Sequence, residues 1–371
     1  MDKAAQSGEE YELPHGLTVA EARRHAAAYL QKQGVDEPED NVSLLLQHVL
    51  QKSRTELMLG ARDVFPAERA AAWTEAVSRK GRGEPAQYIA GEQWFYGRAF
   101  AVSPAVLIPR PETELLVEAV LKAADRLWPE PARALELSRR DGFSAAGGSG
   151  SDGALAAQPR RMNGNSDDTN VQAAEQSRPA ARAAAGPIVL DVGTGSGAIA
   201  LTLAAERPQW QVYASDLSPA ALAAARANAE RLGAQVRAFA EGDLLAPFLA
   251  TAGGEHAGLK LDILVSNPPY IPAGDLPGLQ REVRDYEPVL ALDGGTDGLD
   301  PYRRMAEQLS GLSQLPSIVA FELGIGQARD VAQLLEAIGH WNDISIVTDY
   351  GGIERHVIAV RTASGDARAR V

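Results

Sequence analysis

From Ile188 onward, short apolar β-prone runs alternate with helical segments, and no other feature limits the possible folds as severely. Ile188 to Val192, Gln211 to Ser215, Gln235 to Ala240, Leu261 to Ser266 and Ser317 to Glu322 read as strands. Ala198 to Glu206, Pro219 to Leu232, Tyr302 to Leu312 and Gln327 to Ile338 read as the helices between them. Strands joined through helices lie parallel and are wound by right-handed crossovers, so the pattern predicts an α/β domain around a parallel sheet. Ile344 to Thr348 and His356 to Val360 follow closely around Gly351-Gly352, the spacing of an antiparallel closing hairpin.

The chain before this domain has a different character. Thr18 with Glu21, and Ser53 with Glu56, each form a capping box, and Gly34 and Gly60 stand where helices end. Val42, Leu45, Leu46, Val49 and Leu50 recur at helical spacing, so residues 17–90 are expected to form a small helical bundle behind a flexible tail, 1–16. Trp94, Phe95, Tyr96 and Phe100, punctuated by Gly97 and Pro104, suggest a β-hairpin linker over 91–111. Pro111-Glu112-Thr113-Glu114 then opens a helix, with acidic residues at the positive end of its dipole. Between 129 and 186 periodicity disappears into Ala, Gly, Ser, Arg and Gln, which implies a disordered insertion in a catalytic domain spanning 112–361. Residues 362–371 read as a C-terminal tail.

Ligands of such sheets bind where the carboxyl ends of the strands open. Asp191-Val192-Gly193-Thr194-Gly195-Ser196-Gly197 lies there, between the first strand of the sheet and a helix, where glycines let the backbone approach a ligand. Its bland reading is a tight strand-to-helix turn. Asp216 ends the next strand, placed to accept hydrogen bonds from ribose hydroxyls or simply to cap the following helix with Ser218. Gly242-Asp243-Leu244 falls at the same edge and could frame an adenine, though Gly-Asp is also a common turn pair. These features suit NAD and S-adenosylmethionine equally.

Asn267-Pro268-Pro269-Tyr270, directly after the strand ending at Ser266, separates the two cofactors. The Asn267 side-chain carbonyl and the Pro268 backbone carbonyl are uncharged acceptors that can hold both hydrogens of an NH2 group. The prolines stiffen that geometry, and Tyr270 offers a flat surface. An amide nitrogen is a poor nucleophile because its lone pair is delocalised. Accepting its two N–H bonds localises charge on nitrogen and aims it, so the tetrad points to methyl transfer to nitrogen by orientation and electrostatics. Its bland reading is a proline turn after a buried strand.

Composition removes other classes. A net charge of −13 and a pI near 5.0 argue against sequence-independent binding to nucleic-acid phosphates and favour a protein or small-molecule substrate. The absence of cysteine excludes disulfides, thiolate metal sites and cysteine nucleophiles. Six scattered histidines without a metal-ligand pair suggest that no metal is held. Met1 to Gly16 lacks an apolar signal core and no apolar run is long enough for a membrane span, so a cytoplasmic protein, working as a monomer, is expected.

With these residues in place, the chain resembles the HemK/PrmC family of release factor glutamine N5-methyltransferases. The resemblance extends to Gly83-Glu84-Pro85, Tyr88-Ile89, Gly91-Glu92, Phe95-Tyr96-Gly97 and Ile108-Pro109-Arg110-Pro111-Glu112-Thr113-Glu114. Downstream it includes Tyr286-Glu287-Pro288, Ala291-Leu292, Gly294-Gly295, Asp297-Gly298-Leu299, Tyr302-Arg303 and Phe321-Glu322-Leu323-Gly324. It implies a class I S-adenosylmethionine-dependent methyltransferase (Rossmann-like) sheet with an N-terminal helical bundle that binds class I peptide-chain release factors. It implies S-adenosylmethionine held by Asp191, Gly193, Thr194, Gly195, Ser196, Gly197, Asp216, Asp243, Leu244 and Asn267. The target glutamine would be held by Asn267, Pro268, Pro269 and Tyr270, with Arg110, Glu112 and Phe100 beside it. The chain departs from the family at Leu244, where an aromatic is frequent, and in the 129–186 segment. Three other readings compete. An exocyclic-amine nucleic-acid methyltransferase lacks the basic surface it would need, a nicotinamide oxidoreductase leaves the tetrad unexplained, and a catalytically silent translation-factor-binding protein leaves Asn267 without a use.

Overall fold

The computed structural model describes residues 10–129 and 186–362. Helices α1 (Val19–Lys32), α2 (Pro38–Leu50), α3 (Arg54–Leu59), α4 (Ala70–Gly81) and α5 (Ala86–Ala90) make up the N-terminal bundle. Both capping boxes form: the Thr18 and Ser53 hydroxyls accept from the Glu21 and Glu56 amides at 3.3 Å, and the two glutamates accept in return from the Thr18 and Ser53 amides at 2.8 Å. Each cap is worth about 1 kcal/mol. The apolar stripe of α2 is buried with Ala22, Ala26, Leu30 and Trp73 in one core.

Tyr11 belongs to that core as well. It is 2 % exposed, its hydroxyl accepts from Trp73 Nε1 at 3.1 Å, and its ring lies 5.2 Å from that of Tyr29. The flexible tail expected over 1–16 is corrected accordingly: residues from Tyr11 on are tied down, because one buried aromatic outweighs the acidic neighbours that made the segment read as free. Residues 1–9 lie outside the described part of the chain.

Strands β1 (Glu92–Phe95) and β2 (Arg98–Ala101) pair antiparallel across Tyr96-Gly97, whose φ values of 50° and 73° suit a two-residue hairpin turn. The hairpin is shorter than 91–111. Val102, Val106 and Ile108 leave the strand direction and pack in a small cluster with Tyr88 and Ala221. Helix α6 (Pro111–Leu127) starts with proline in its first turn, and Glu114 Oε1 accepts from the Tyr96 amide at 2.8 Å, fastening hairpin to helix.

The main sheet contains β3 (Ile188–Val192), β4 (Gln211–Asp216), β5 (Ala238–Glu241), β6 (Ile263–Ser266), β7 (Ile318–Glu322), β8 (Asp343–Thr348) and β9 (Glu354–Val360). They are ordered β5-β4-β3-β6-β7-β9-β8. All are parallel except β9, which runs antiparallel to both of its neighbours, so the closing hairpin folds back between β7 and the edge. Remaining helices are α7 (Ala198–Glu206), α8 (Pro219–Leu232), α9 (Arg281–Tyr286), α10 (Asp300–Leu309) and α11 (Ala328–Ile338). Alternate residues of β3 serve opposite faces. Val189 joins a core with α6 and α7, including Leu116, Val117, Leu201 and Leu203, while Leu190 and Val192 join one with α10 and α11, including Met305, Leu309 and Val331. Each such buried aliphatic contributes roughly 1.5–3 kcal/mol, enough for the two layers to fix the sheet between them.

The bundle rests on the segment around α9. Lys80, with a side chain only 1 % exposed, pairs its ammonium with Glu282, and Gln280 Nε2 donates to Asp36 Oδ2 at 3.1 Å. Apart from Pro129 and Gly186, the insertion expected to be disordered lies outside the described residues, as does the tail beyond Thr362.

Candidate active site

Strand order reverses at β3, which has β4 on one side and β6 on the other. Loops leaving the carboxyl ends of β3 and β6 therefore diverge and open a crevice. A cavity of about 430 Å3 occupies it, bordered by the glycine loop, Asp216, Asp243, Leu244 and Asn267. Its size falls within the range of small-molecule sites.

The glycine loop is held from beneath. The Gly193 and Thr194 amides both donate to the Ser215 carbonyl at 2.9 Å. Asp191 is fully buried, and its Oδ2 accepts from Thr194 Oγ1 at 2.7 Å and from the Ala200 amide at 3.1 Å. Burial pushes its carboxyl up to about 7 against the pull of those bonds, and Oδ1 has no partner. Asp191 does not border the cavity. What the structure shows of it is support of the loop, through its bonds to Thr194 and Ala200. Gly193, Thr194, Gly195 and Ser196 do border the cavity, whereas Gly197 does not. Gly197 starts α7 with φ 84°, and a Cβ there would stand 2.9 Å from Leu201 Cδ1, so its part is tight packing. A Cβ at Gly193 or Gly195 would meet no heavy atom within 4 Å, which leaves the loop backbone facing open space.

Asp216 combines both of its expected roles. Oδ2 accepts from the Gly195 amide at 2.9 Å and Oδ1 from the Ser218 amide at 2.8 Å, while Ser218 itself caps α8. Burial raises its pKa and the backbone bonds oppose that. A carboxylate has about four acceptor positions, so these backbone bonds leave it capacity for a ribose hydroxyl. Leu244 holds a left-handed φ of 54° at the cavity edge, and Asp243 beside it pairs with Arg304, another cavity residue.

Asn267 and Pro269 of the tetrad border the cavity, but Pro268 and Tyr270 do not. Asn267 Nδ2 donates to Thr113 Oγ1 at 3.2 Å, and neither Asn267 Oδ1 nor the Pro268 carbonyl has a partner among the described residues. Tyr270 packs against the core shared by α10 and α11, and burial pushes its phenol up to about 12. Its ring packs toward that core and anchors the loop, with Arg110 and Glu112 near enough for their charges to act on its phenol.

That anchoring is extensive. The Ile271 amide donates to the Leu292 carbonyl, the Gly294 amide to the Ile271 carbonyl, and Gln327 Nε2 to the Tyr270 carbonyl, each at 2.9 Å. Gly298 lies so close that a Cβ would stand 2.2 Å from the Tyr270 oxygen.

Of the neighbouring candidates, Arg110 borders the cavity and its Nη2 donates to Glu287 Oε1 at 2.6 Å. Glu112, in the first turn of α6, does not border it, and Phe100 is wholly buried edge-on to Phe95 in the hairpin core. Sequence reasoning passed over Thr113, the Ala105 to Leu107 stretch and Asp300, all of which border the cavity. Only Thr113 had a signal, its place inside the Pro111-Glu112-Thr113-Glu114 helix start. Among the described residues no cluster of His, Asp or Glu could hold a metal, and no helix is long and apolar enough to cross a membrane.

Comparison with known proteins bears on the same regions. A family model described as the PrmC N-terminal domain matches residues 21–91, and one described as the methyltransferase small domain matches residues 177–277. The chain is 37% identical to a release factor glutamine methyltransferase of Bacillus anthracis over 343 residues, 92% of this chain and 99% of the relative. It is 35% identical to one of Moorella thermoacetica over 346 residues, 93% of this chain and 99% of the relative. Among solved structures, a ribosomal protein L11 methylase of Lactobacillus delbrueckii subsp. bulgaricus overlaps loosely, with TM-score 0.30 and 22% identity over 48% of this chain and 71% of that one.

Proposed function

The chain belongs to the release factor glutamine methyltransferase family, and on that premise we propose that it transfers the methyl group of S-adenosylmethionine to the side-chain amide nitrogen of the glutamine in the Gly-Gly-Gln motif of class I peptide-chain release factors. The fold is the class I methyltransferase sheet, and the cavity at its switch point is the reaction site. One observation carries the assignment of residues: Asn267 stands at that cavity with its Nδ2 engaged and its Oδ1 open.

S-adenosylmethionine supplies an electrophilic methyl carbon. The protein's own groups bind and orient. Gly193 and Gly195 leave room along the loop backbone, Asp216 retains acceptor capacity, and Leu244 contributes an apolar edge. Asn267 Oδ1 and the Pro268 carbonyl accept the two hydrogens of the target NH2, which raises electron density on the nitrogen and fixes its direction. Both acceptors are uncharged, so they bring no competing anion beside the cofactor's own carboxylate. As the methyl–sulfur bond gave way to the new N–C bond, leaving a neutral thioether, the nitrogen would become acidic and its proton would pass to water; no residue has to act as a strong base beforehand.

The bundle is the release-factor-binding domain in this reading, supported by its docking beside α9 and the cavity loops. The protein acts as a monomer in the cytoplasm. The test is incubation with radiolabelled S-adenosylmethionine and a class I release factor, alongside the same factor carrying Gln→Ala in its motif, and DNA. Label on the unmodified factor alone is expected. Label on DNA and none on the factor would refute the assignment.

A further inference from the structure

We propose that Thr113 is a positioning residue for the reaction: its hydroxyl accepts a hydrogen bond from Asn267 Nδ2 and thereby holds the plane of the Asn267 carboxamide against the cavity. The inference rests on the reading of Asn267 as the group that holds the target NH2.

A carboxamide has two nearly isosteric ends of opposite use. With oxygen toward the substrate, Asn267 accepts an N–H; turned by half a rotation, it presents an NH2 to another NH2 and can only repel it. Nothing within the Asn267 side chain chooses between the two. The backbone is already restricted, because Pro268 holds the preceding residue in extended conformations, yet this leaves the terminal torsion broad. An external partner must decide it.

Thr113 Oγ1, 3.2 Å from Nδ2, is that partner: it fixes the carboxamide plane, and because a hydroxyl can also donate, it is the substrate NH2 that then selects Oδ1 as the end facing it. The hydroxyl is well suited to the task. Thr113 is 5 % exposed, so water competes poorly for it. Its β-branched side chain has few rotamers in a helix. Its helix is immobilised by Leu116, Val117 and Val120 in the core, by the Glu114 bond to the hairpin, and by the Thr113 amide donating to the Arg110 carbonyl at 3.1 Å. Engagement of Nδ2 also polarises the amide and makes Oδ1 a stronger acceptor. The start of α6 thus enters the reaction through a residue 154 positions away in sequence.

The experiment compares Thr113→Val, Thr113→Ser, Asn267→Ala and the double variant Thr113→Val/Asn267→Ala, using the full chain, S-adenosylmethionine and a release factor. Thr113→Val keeps the shape and removes the acceptor. Its kcat is expected to fall about tenfold, with the KM for S-adenosylmethionine, the calorimetric affinity for S-adenosylhomocysteine and the melting temperature essentially retained. Thr113→Ser should recover most of kcat. In the Asn267→Ala background the valine substitution should have almost no further effect, because the group it positions is gone. Wild-type kcat in Thr113→Val, or a tenfold loss that persists undiminished without Asn267, would overturn the proposal. A loss in Thr113→Val matched by weaker S-adenosylhomocysteine binding or a lower melting temperature would overturn it too. If Asn267→Ala itself turns over normally, the reading beneath the proposal fails, an outcome separate from failure of Thr113 alone.

Discussion

Replacing Asn267 with alanine removes one of two acceptors while leaving the strand and the prolines intact. Turnover is expected to fall more than tenfold with little change in melting temperature, measured by methyl incorporation and thermal denaturation. Asp191 gives a different kind of prediction. Burial lifts its carboxyl from 3.8 to about 7, so across that window the folded protein retains a proton that the unfolded chain has released. Stability contributed by this group is full below the unfolded value and is lost as pH rises through the folded one, at up to about 1.4 kcal/mol per pH unit. Asp191→Asn is neutral throughout. Urea midpoints measured from about pH 4.5 to about pH 7 should therefore decline less steeply in the variant than in the parent. At this scale the sequence displayed the chemistry better than its supports. Asn267, Asp216 and the glycines could be read because a strand end marks out the loop that leaves it. The bond between Asn267 and Thr113 could not, since the two lie 154 positions apart, and neither could the packing of Tyr270, because an aromatic beside prolines looks the same whether it faces a ligand or a core.

Elements were more legible where periodicity and punctuation agree. Helices α7 and α8 fall where expected, at Ala198–Glu206 and Pro219–Leu232, because a glycine loop and a Ser-Pro cap mark their starts. Strand β5 begins at Ala238 rather than Gln235, since its ladder with β4 opens only at Tyr213. Register of that kind is a property of two strands and is invisible in one. Loops that grip one another are equally hidden. Gln327 is 8 % exposed, accepts from the Gly324 amide at 2.8 Å and donates to the Tyr270 carbonyl, tying α11 to the tetrad. Gln327→Leu would strand these groups in the interior at a cost of about 1–3 kcal/mol. A lower urea midpoint is expected, with turnover falling further than S-adenosylhomocysteine affinity as measured by calorimetry.

In the whole molecule, bundle and sheet meet through few polar contacts, of which Lys80 with Glu282 is the most enclosed. Glu282 is 31 % exposed, so part of its charge stays solvated when the lysine is removed. Lys80→Met should destabilise the protein by on the order of 1–3 kcal/mol, below the loss typical of a fully buried pair. Hydrogen exchange should quicken in α9 and α5, and the KM for the release factor should rise while that for S-adenosylmethionine stays constant. Composition foretold two regions but not their seam, since a single lysine among many carries no mark of being enclosed. Gly298 marks the far reach of the chemistry. It does not border the cavity, yet the smallest side chain there would stand 2.2 Å from the carbonyl oxygen of Tyr270 and displace the loop that carries the tetrad. A bare hydrogen atom there keeps clear the path of a loop on another stretch of chain, so that exchanging it for a methyl group would move the tetrad from behind.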